Sequence, residues 1–168
     1  MKRIYLLRHA KSSWKNATLA DHDRPLSGRG RRAASAMCGH LQARGIEPAL
    51  VLCSSSRRTV ETLARIAPSL AGTQTSVEPA LYGASAQTLL ERLRRLPADL
   101  DSVLLIAHNP GLHGLALHLV EPTPAPDTLA AKFPTGALAT FDVSAEDWRA
   151  LGPATAKLTA FVGPRDLK

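Results

Sequence analysis

Aromatic residues and cysteines are scarce in this sequence: aromatic side chains make up 4% of its 168 residues, and cysteine occurs twice. So few rings argue against a platform that stacks the bases of a single-stranded nucleic acid. Cys38 and Cys53 belong to neither a CxxC pair nor a Cys/His metal-ligand spacing. We therefore expect two buried or half-buried free thiols and a reducing compartment.

Long apolar runs are also absent. No run reaches the roughly 18–20 residues that cross a bilayer. Just four apolar residues follow Lys2 and Arg3, too few for the core of a signal peptide. The hydrophobic fraction of 45% is nonetheless that of an ordinary globular protein. We expect a cytoplasmic protein with no membrane partner, folded as a single domain over residues 1–168.

Acidic residues are outnumbered, with 14 Asp and Glu against 21 Lys and Arg and a net charge of +7. Such an excess suits nucleic acid, a membrane surface or an anionic substrate. The densest basic stretch, RPLSGRGRR at 24–32, has no interleaved aromatic residue. We interpret it as a solvated helix start and expect no nucleic-acid partner.

Apolar strand-like runs alternate with helix-period segments along the chain. The pattern predicts strongly apolar strands at 4–8, 49–54 and 103–107, and further strands at 73–77, 137–143 and 157–162. It predicts helices at 28–44, 58–67, 86–96 and 112–120, and a proline-rich loop at 121–127. This alternation predicts an α/β protein, a three-layer α/β/α sandwich with a mostly parallel central sheet.

Each strongly apolar strand is followed by arginine or histidine. The first ends at Arg8 and His9, Arg58 comes shortly after the second, and His108 follows the third. Ligands of open α/β sheets bind beyond the carboxyl ends of the strands, so we expect these four side chains to meet there. Taken singly, a histidine at the end of a strand usually has its hydrogen bonds satisfied or faces solvent, and an arginine after a strand usually forms a surface ion pair. Their joint placement favours a site.

Two arginines and two histidines without a carboxylate cluster suit a tetrahedral dianion. The guanidinium fork binds phosphate in a bidentate manner, and a helix that begins near Arg58 adds backbone N–H donors. A histidine of ordinary pKa, about 6.5, is largely neutral at pH 7 and can act as a nucleophile. The second histidine, if protonated, can stabilise charge on the transferred group. The sequence has no Walker A loop, which argues against nucleoside-triphosphate chemistry.

Three segments of the chain, LLRHA, SSSRRTVET and IAHNPG, resemble the signature segments of the histidine phosphatase (phosphoglycerate mutase-like) superfamily. The further segments RHAKSSW, DRPLSGRGRRAA, LYGAS, FPTGAL and PRDL are similar to those of its SixA-type phosphohistidine phosphatases. The resemblance covers essentially the full chain. It implies a phosphoglycerate mutase-like fold with a minimal lid.

The resemblance also implies a role for each residue of the predicted site. His9 would attack phosphorus and become a transient phosphohistidine, and Arg8, Arg58 and His108 would form the phosphate pocket. Arg57 is the rival of Arg58, but the family's spacing selects Arg58. Water would then hydrolyse the phosphoenzyme, with no metal and no organic cofactor.

Two further residues are implied less directly. Ser12, three residues after the nucleophile, corresponds to a position that often carries a hydroxyl near the phosphate. The general acid of the superfamily usually precedes a Tyr-Gly pair, and Glu78 precedes Tyr82 but stands one residue out of step. Asp21 and Asp23 are weaker candidates for that acid.

The position of Glu78, out of step with the superfamily's general acid, bears on the choice of substrate. An alcohol departs as a basic alkoxide unless an acid protonates it, whereas imidazole is readily protonated as the P–N bond breaks. We therefore predict a phosphohistidine on a partner protein, such as a phosphotransfer domain. The alternatives are a phosphomonoesterase that acts on a small phosphorylated molecule and a non-catalytic phosphate-binding module.

Overall fold

A sheet of six strands forms the centre of the computed structural model, which describes residues 1–122 and 127–167. The strands are β1 (Lys2–Arg8), β2 (Leu50–Ser54), β3 (Gln74–Glu78), β4 (Ser102–Ala107), β5 (Leu138–Val143) and β6 (Ala156–Val162). The helices are α1 (Gly28–Ala43), α2 (Arg57–Ile66), α3 (Ala86–Arg94), α4 (Gly111–Leu119) and α5 (Asp127–Ala131). Short 3-10 turns occur at Asp21–Asp23, Ala67–Leu70, Pro79–Leu81, Trp148–Ala150 and Pro164–Leu167.

The strand order is β3-β2-β4-β1-β5-β6. The first four strands of this order pair in parallel, and β5 runs antiparallel to both of its neighbours. The mostly parallel sheet is therefore confirmed. Because β5 runs the other way, the segment that leads into it arrives at the carboxyl end of β1, beside the predicted site.

Helices cover both faces of the sheet because its central strands are apolar on both sides. On β1, Ile4 and Leu6 pack with the leucines of α3 and α4. The alternate residues Tyr5 and Leu7 pack against α1, with Met37 among the contacts. This period of two, repeated on β2 and β4, makes the three-layer sandwich.

Three helices begin at a serine whose hydroxyl accepts the backbone N–H three residues later, which satisfies an otherwise unpaired donor. Ser27 caps α1, Ser56 caps α2 and Ser85 caps α3. Ser56 places the start of α2 one residue earlier than predicted, at Arg57. The short helix α5 was not predicted, and residues 123–126 of the predicted loop lie outside the described part of the chain.

Both cysteines are buried free thiols, as predicted. Burial raises the pKa of the Cys53 thiol to about 12, so this sulfur is not a reactive thiolate at neutral pH. None of the helices in the described ranges is both long and apolar enough to cross a bilayer.

A close backbone approach explains the glycine of the IAHNPG segment, and it supports a stability prediction. A methyl group on Gly111 would collide with the carbonyl oxygen of Ala84. We expect Gly111→Ala to lower the free energy of unfolding by about 2–3 kcal/mol, because backbone must move to make room. Urea denaturation measures the change.

Gly39 provides the matched control, since it lies inside α1 with no atom within 4 Å of the added methyl group. Gly39→Ala should raise the free energy of unfolding by up to about 1 kcal/mol through helix propensity. Equal effects of the two substitutions would contradict the close approach at Gly111.

Candidate active site

The four predicted side chains lie together at the carboxyl edge of the sheet. Arg8 pairs in register with Ala107, so His9 and His108 follow neighbouring parallel strands. The centroids of their rings are 5.2 Å apart. Arg58, from the first turn of α2, places Nη2 3.3 Å from Nδ1 of His108. The predicted convergence is confirmed.

One hydrogen bond fixes the tautomer of His9. Its Nδ1 lies 2.7 Å from the carbonyl oxygen of Ala10. A carbonyl oxygen only accepts, so Nδ1 must carry the proton and donate it. The other ring nitrogen, Nε2, then keeps its lone pair, which is the form that a nucleophilic imidazole requires.

His108 has the opposite tautomer. An arginine only donates, so Nδ1 of His108 accepts from Arg58. Nε2 then carries the proton and donates to the hydroxyl of Ser54 across 2.7 Å. Ser54, the last residue of β2, thereby connects the carboxyl end of the second apolar strand with His108.

Both histidines are buried, and both are neutral at pH 7. Burial is the largest cause that lowers the pKa of His9 to about 3, and the nearby charges of Arg58 and Arg8 add to it. Burial followed by the charge of Arg58 lowers the pKa of His108 to about 4. Before an anion binds, His108 is therefore a neutral donor, and the protonated ring on which the charge-stabilising role of a second histidine depends is absent.

The FPTGAL segment holds the end of β1 in place. The backbone N–H of Gly136 donates to the carbonyl oxygens of Arg8 and His9, at 3.1 and 2.9 Å. The carbonyl oxygen of Phe133 accepts from Nη1 of Arg8 and from Nδ2 of Asn109, each at 3.0 Å. Burial first and the nearby charge of Arg58 second lower the pKa of Arg8.

Arg58 is oriented by Asp21, a contact that the sequence did not predict. Its guanidinium donates to the backbone oxygen of Asp21 at 2.8 Å and to Oδ2 at 3.0 Å. The same Oδ2 accepts the hydroxyl of Tyr82 at 2.6 Å. These bonds, that of Tyr82 first, lower the pKa of Asp21 to about 2. Asp21, a weaker candidate for the acid, is therefore an ionised carboxylate that positions Arg58.

Ser12 belongs to a network around the buried Arg24. The guanidinium of Arg24 donates to the Ser12 hydroxyl, to the Ser13 carbonyl oxygen and to Oδ1 of Asp21. It also lies 3.3 Å from the ring centroid of Trp14. The basic stretch at 24–32 was interpreted as solvated, which holds for Arg29, Arg31 and Arg32 but not for Arg24, which is 5% exposed. Contact of Ser12 with a phosphate stays a prediction.

The side chain of Glu78 is bonded to residues outside the predicted site. Its carboxylate accepts two hydrogen bonds from Arg92, at 2.7 and 2.8 Å, and one from Ser76. The ion pair with Arg92 lowers the pKa of Glu78. An ionised, doubly paired carboxylate has no proton to give at neutral pH, so this geometry argues against Glu78 as the general acid.

The choice between the two neighbouring arginines follows the prediction. Arg58 is 8% exposed and faces the site. Arg57 lies outside it and pairs with Glu61 at 2.8 Å on the surface of α2.

Within the described residues, no group of three or more histidine, cysteine or acidic side chains is arranged to hold a metal ion.

Comparison with known proteins agrees with this site. The family model of the histidine phosphatase superfamily (branch 1) matches residues 4–87. Rv1276c of Mycobacterium tuberculosis, an uncharacterised protein, is 34% identical over 166 residues, which cover 95% of this chain and all of that protein. The chain therefore belongs to the histidine phosphatase superfamily.

Solved structures narrow the assignment. A candidate phosphohistidine phosphatase SixA from Agrobacterium tumefaciens superposes with a TM-score of 0.82 at 27% identity, over 97% of this chain and 98% of that one. Its counterpart from Nakamurella multipartitia gives 0.81 at 30% identity, over 97% and 96%. Within the superfamily, the chain is of the SixA type.

A more distant structure shares the fold alone. The mycobacterial glucosyl-3-phosphoglycerate phosphatase Rv2419c superposes with a TM-score of 0.66 at 18% identity, over 95% of this chain and 98% of that one. The architecture by itself therefore does not select a substrate.

The two arginines give the first prediction for this site. A charged hydrogen bond to an oxyanion contributes about 1.5–3 kcal/mol. With the tetrahedral oxyanion tungstate as the probe in place of phosphate, Arg58→Ala should therefore weaken binding about 10- to 100-fold. Arg57→Ala removes the same charge from the adjacent exposed position and should leave the affinity unchanged. Isothermal titration calorimetry measures both. Equal losses would show that the anion does not bind at Arg58.

The buried histidines predict a loss of stability in mild acid. Their pKa values in the folded protein, about 3 and about 4, lie below the ordinary value of 6.5. The unfolded chain therefore binds more protons between those values, and stability is lost as pH falls. We expect the free energy of unfolding to drop by on the order of 2 kcal/mol per histidine between pH 6.5 and 5.

Urea denaturation across this pH range tests the sign. His9→Asn and His108→Asn should each flatten the dependence, whereas His118→Asn, at an exposed position of α4, should not. A wild-type curve as flat as that of His9→Asn would contradict the burial of neutral imidazoles.

Proposed function

We propose that this protein is a phosphohistidine phosphatase that removes the phosphoryl group from a partner protein through a covalent intermediate on His9. The observation that carries the proposal is the state of His9. Its imidazole is neutral, its Nδ1 proton is committed to Ala10, and its Nε2 keeps a lone pair beside two guanidinium groups. Similarity to SixA-type structures supports the same substrate class.

The proposed reaction has two steps. Nε2 of His9 attacks phosphorus in line with the departing nitrogen, and one P–N bond forms as the other breaks. The substrate ring, which has taken a proton from solvent at its other nitrogen, leaves as neutral imidazole. Arg8 and Arg58 stabilise charge on the equatorial oxygens, and Nε2–H of His108 is a further donor. Water then attacks phospho-His9 and releases inorganic phosphate and neutral His9. The proposal requires no metal, since the two guanidinium groups supply the positive charge.

The carboxylates near the site support a nitrogen leaving group. Asp21 is ionised and paired with Arg58, and Glu78 is ionised and paired with Arg92. Neither has a proton to give to a departing alkoxide at neutral pH. An imidazole leaving group depends less on such an acid, because it can be protonated as it departs.

The decisive experiment exposes wild-type protein and His9→Ala to a phosphohistidine-bearing phosphotransfer protein and follows both proteins by intact mass. Wild type should remove the phosphoryl group from the phosphotransfer protein and should pass through an acid-labile species one phosphoryl group heavier than the free enzyme. His9→Ala should form no such species and lose at least about a thousandfold in rate, because its nucleophile is gone. His118→Ala, which changes an exposed histidine, is the matched control.

Parallel assays with p-nitrophenyl phosphate separate the alternatives. Turnover of this ester with no action on phosphohistidine would keep the His9 mechanism and replace the substrate by a small phosphorylated molecule. Tungstate binding without turnover of either substrate, by folded protein, would favour a phosphate-binding module.

A further inference from the structure

A groove next to the candidate active site is not used by the proposed chemistry. It encloses a cavity of about 550 Å³ between the start of α1, α5 and the C-terminal turn. Its floor is partly apolar and includes Phe161, Pro134 and Pro164. Four cations line it: Lys11, Arg29, Lys132 and Arg165.

The charge of this groove is largely uncompensated. All four cationic residues are exposed, and none forms an ion pair with any side chain that the structure describes. The acidic residue of the lining, Asp166, is used locally, because its Oδ2 accepts the backbone N–H of Gly163 at 2.8 Å. A groove with unpaired cations around an apolar floor fits a partner that brings acidic and apolar side chains together.

Two segments of the chain connect the groove with the site. Lys11 stands two residues after His9 on the same segment. Pro134 and Thr135, which also line the groove, belong to the loop that binds Arg8 through the Phe133 carbonyl oxygen and His9 through the Gly136 N–H. A polypeptide that brings a phosphoryl group to His9 therefore has this groove beside it.

We propose that the groove binds an acidic segment of the phosphoprotein substrate that flanks its phosphohistidine. The proposal rests on the proposed function, and it adds a recognition element outside the phosphate pocket. Groove contacts lie away from the reacting atoms, so they act on capture of the protein substrate and leave the hydrolysis of a small ester unchanged. Charge steering of this kind weakens as salt rises.

Two matched peptides test the proposal, each with one phosphohistidine and a leucine nearby. In one peptide four flanking positions are glutamate, and in the other they are glutamine. We expect wild type at low salt to show a kcat/KM about tenfold higher for the glutamate peptide, and this preference should shrink in 0.5 M salt. Lys132→Glu/Arg165→Glu should abolish the preference while p-nitrophenyl phosphate turnover stays at the wild-type rate.

Arg65→Glu/Arg95→Glu is the control with the same change in net charge. These exposed arginines lie at the carboxyl ends of α2 and α3, and neither lines the groove. This control should keep the preference, and a third peptide with four flanking lysines should recover activity with the groove variant.

The outcomes distinguish the two proposals. Equal hydrolysis of the glutamate and glutamine peptides by wild type would overturn the proposal that the groove binds an acidic segment, and it would leave the proposed phosphatase function intact. A preference that survives in the groove variant, or vanishes in the control, would also overturn it. Hydrolysis of p-nitrophenyl phosphate but of no phosphohistidine peptide would overturn the proposed function, and with it this substrate for the groove.

Discussion

Repulsion between like charges in one small pocket is the constraint around which this structure is arranged. Two guanidinium groups and two imidazoles meet at the carboxyl edge of the sheet, and no carboxylate lies between the imidazoles. The protein accommodates them by keeping both histidines neutral and by placing Asp21 on the outer side of Arg58. An oxyanion that enters this space supplies the negative charge that the pocket lacks.

The surrounding structure holds these groups at fixed positions. Parallel pairing of β1 with β4 brings His9 and His108 side by side. The Ser56 cap and the buried Thr59 hydroxyl, which donates to the Ser54 carbonyl oxygen at 2.7 Å, fix the start of α2. Arg58 therefore enters from a rigid element, which lowers the entropic cost of binding and orienting a phosphoryl group.

The sequence predicted the parts of this arrangement that depend on local pattern. Apolar strands followed by arginine or histidine located Arg8, His9 and His108, and the resemblance to the histidine phosphatases selected Arg58 over Arg57. Contacts between distant side chains had no such local pattern. The pairing of Glu78 with Arg92 and of Ser12 with Arg24 depends on how a strand meets a helix and how a loop folds back. Arg24 was misjudged because a run of basic residues usually faces solvent.

The neutral state of His108 also bears on the end of the catalytic cycle. In the proposed reaction, the inorganic phosphate formed in the pocket would face two permanent positive charges, those of Arg8 and Arg58. Any proton that His108 takes up would tighten this product complex, and burial makes that uptake costly near neutral pH. In the proposed mechanism, the burial that keeps His9 neutral for the attack therefore also limits the positive charge that His108 presents to the released phosphate.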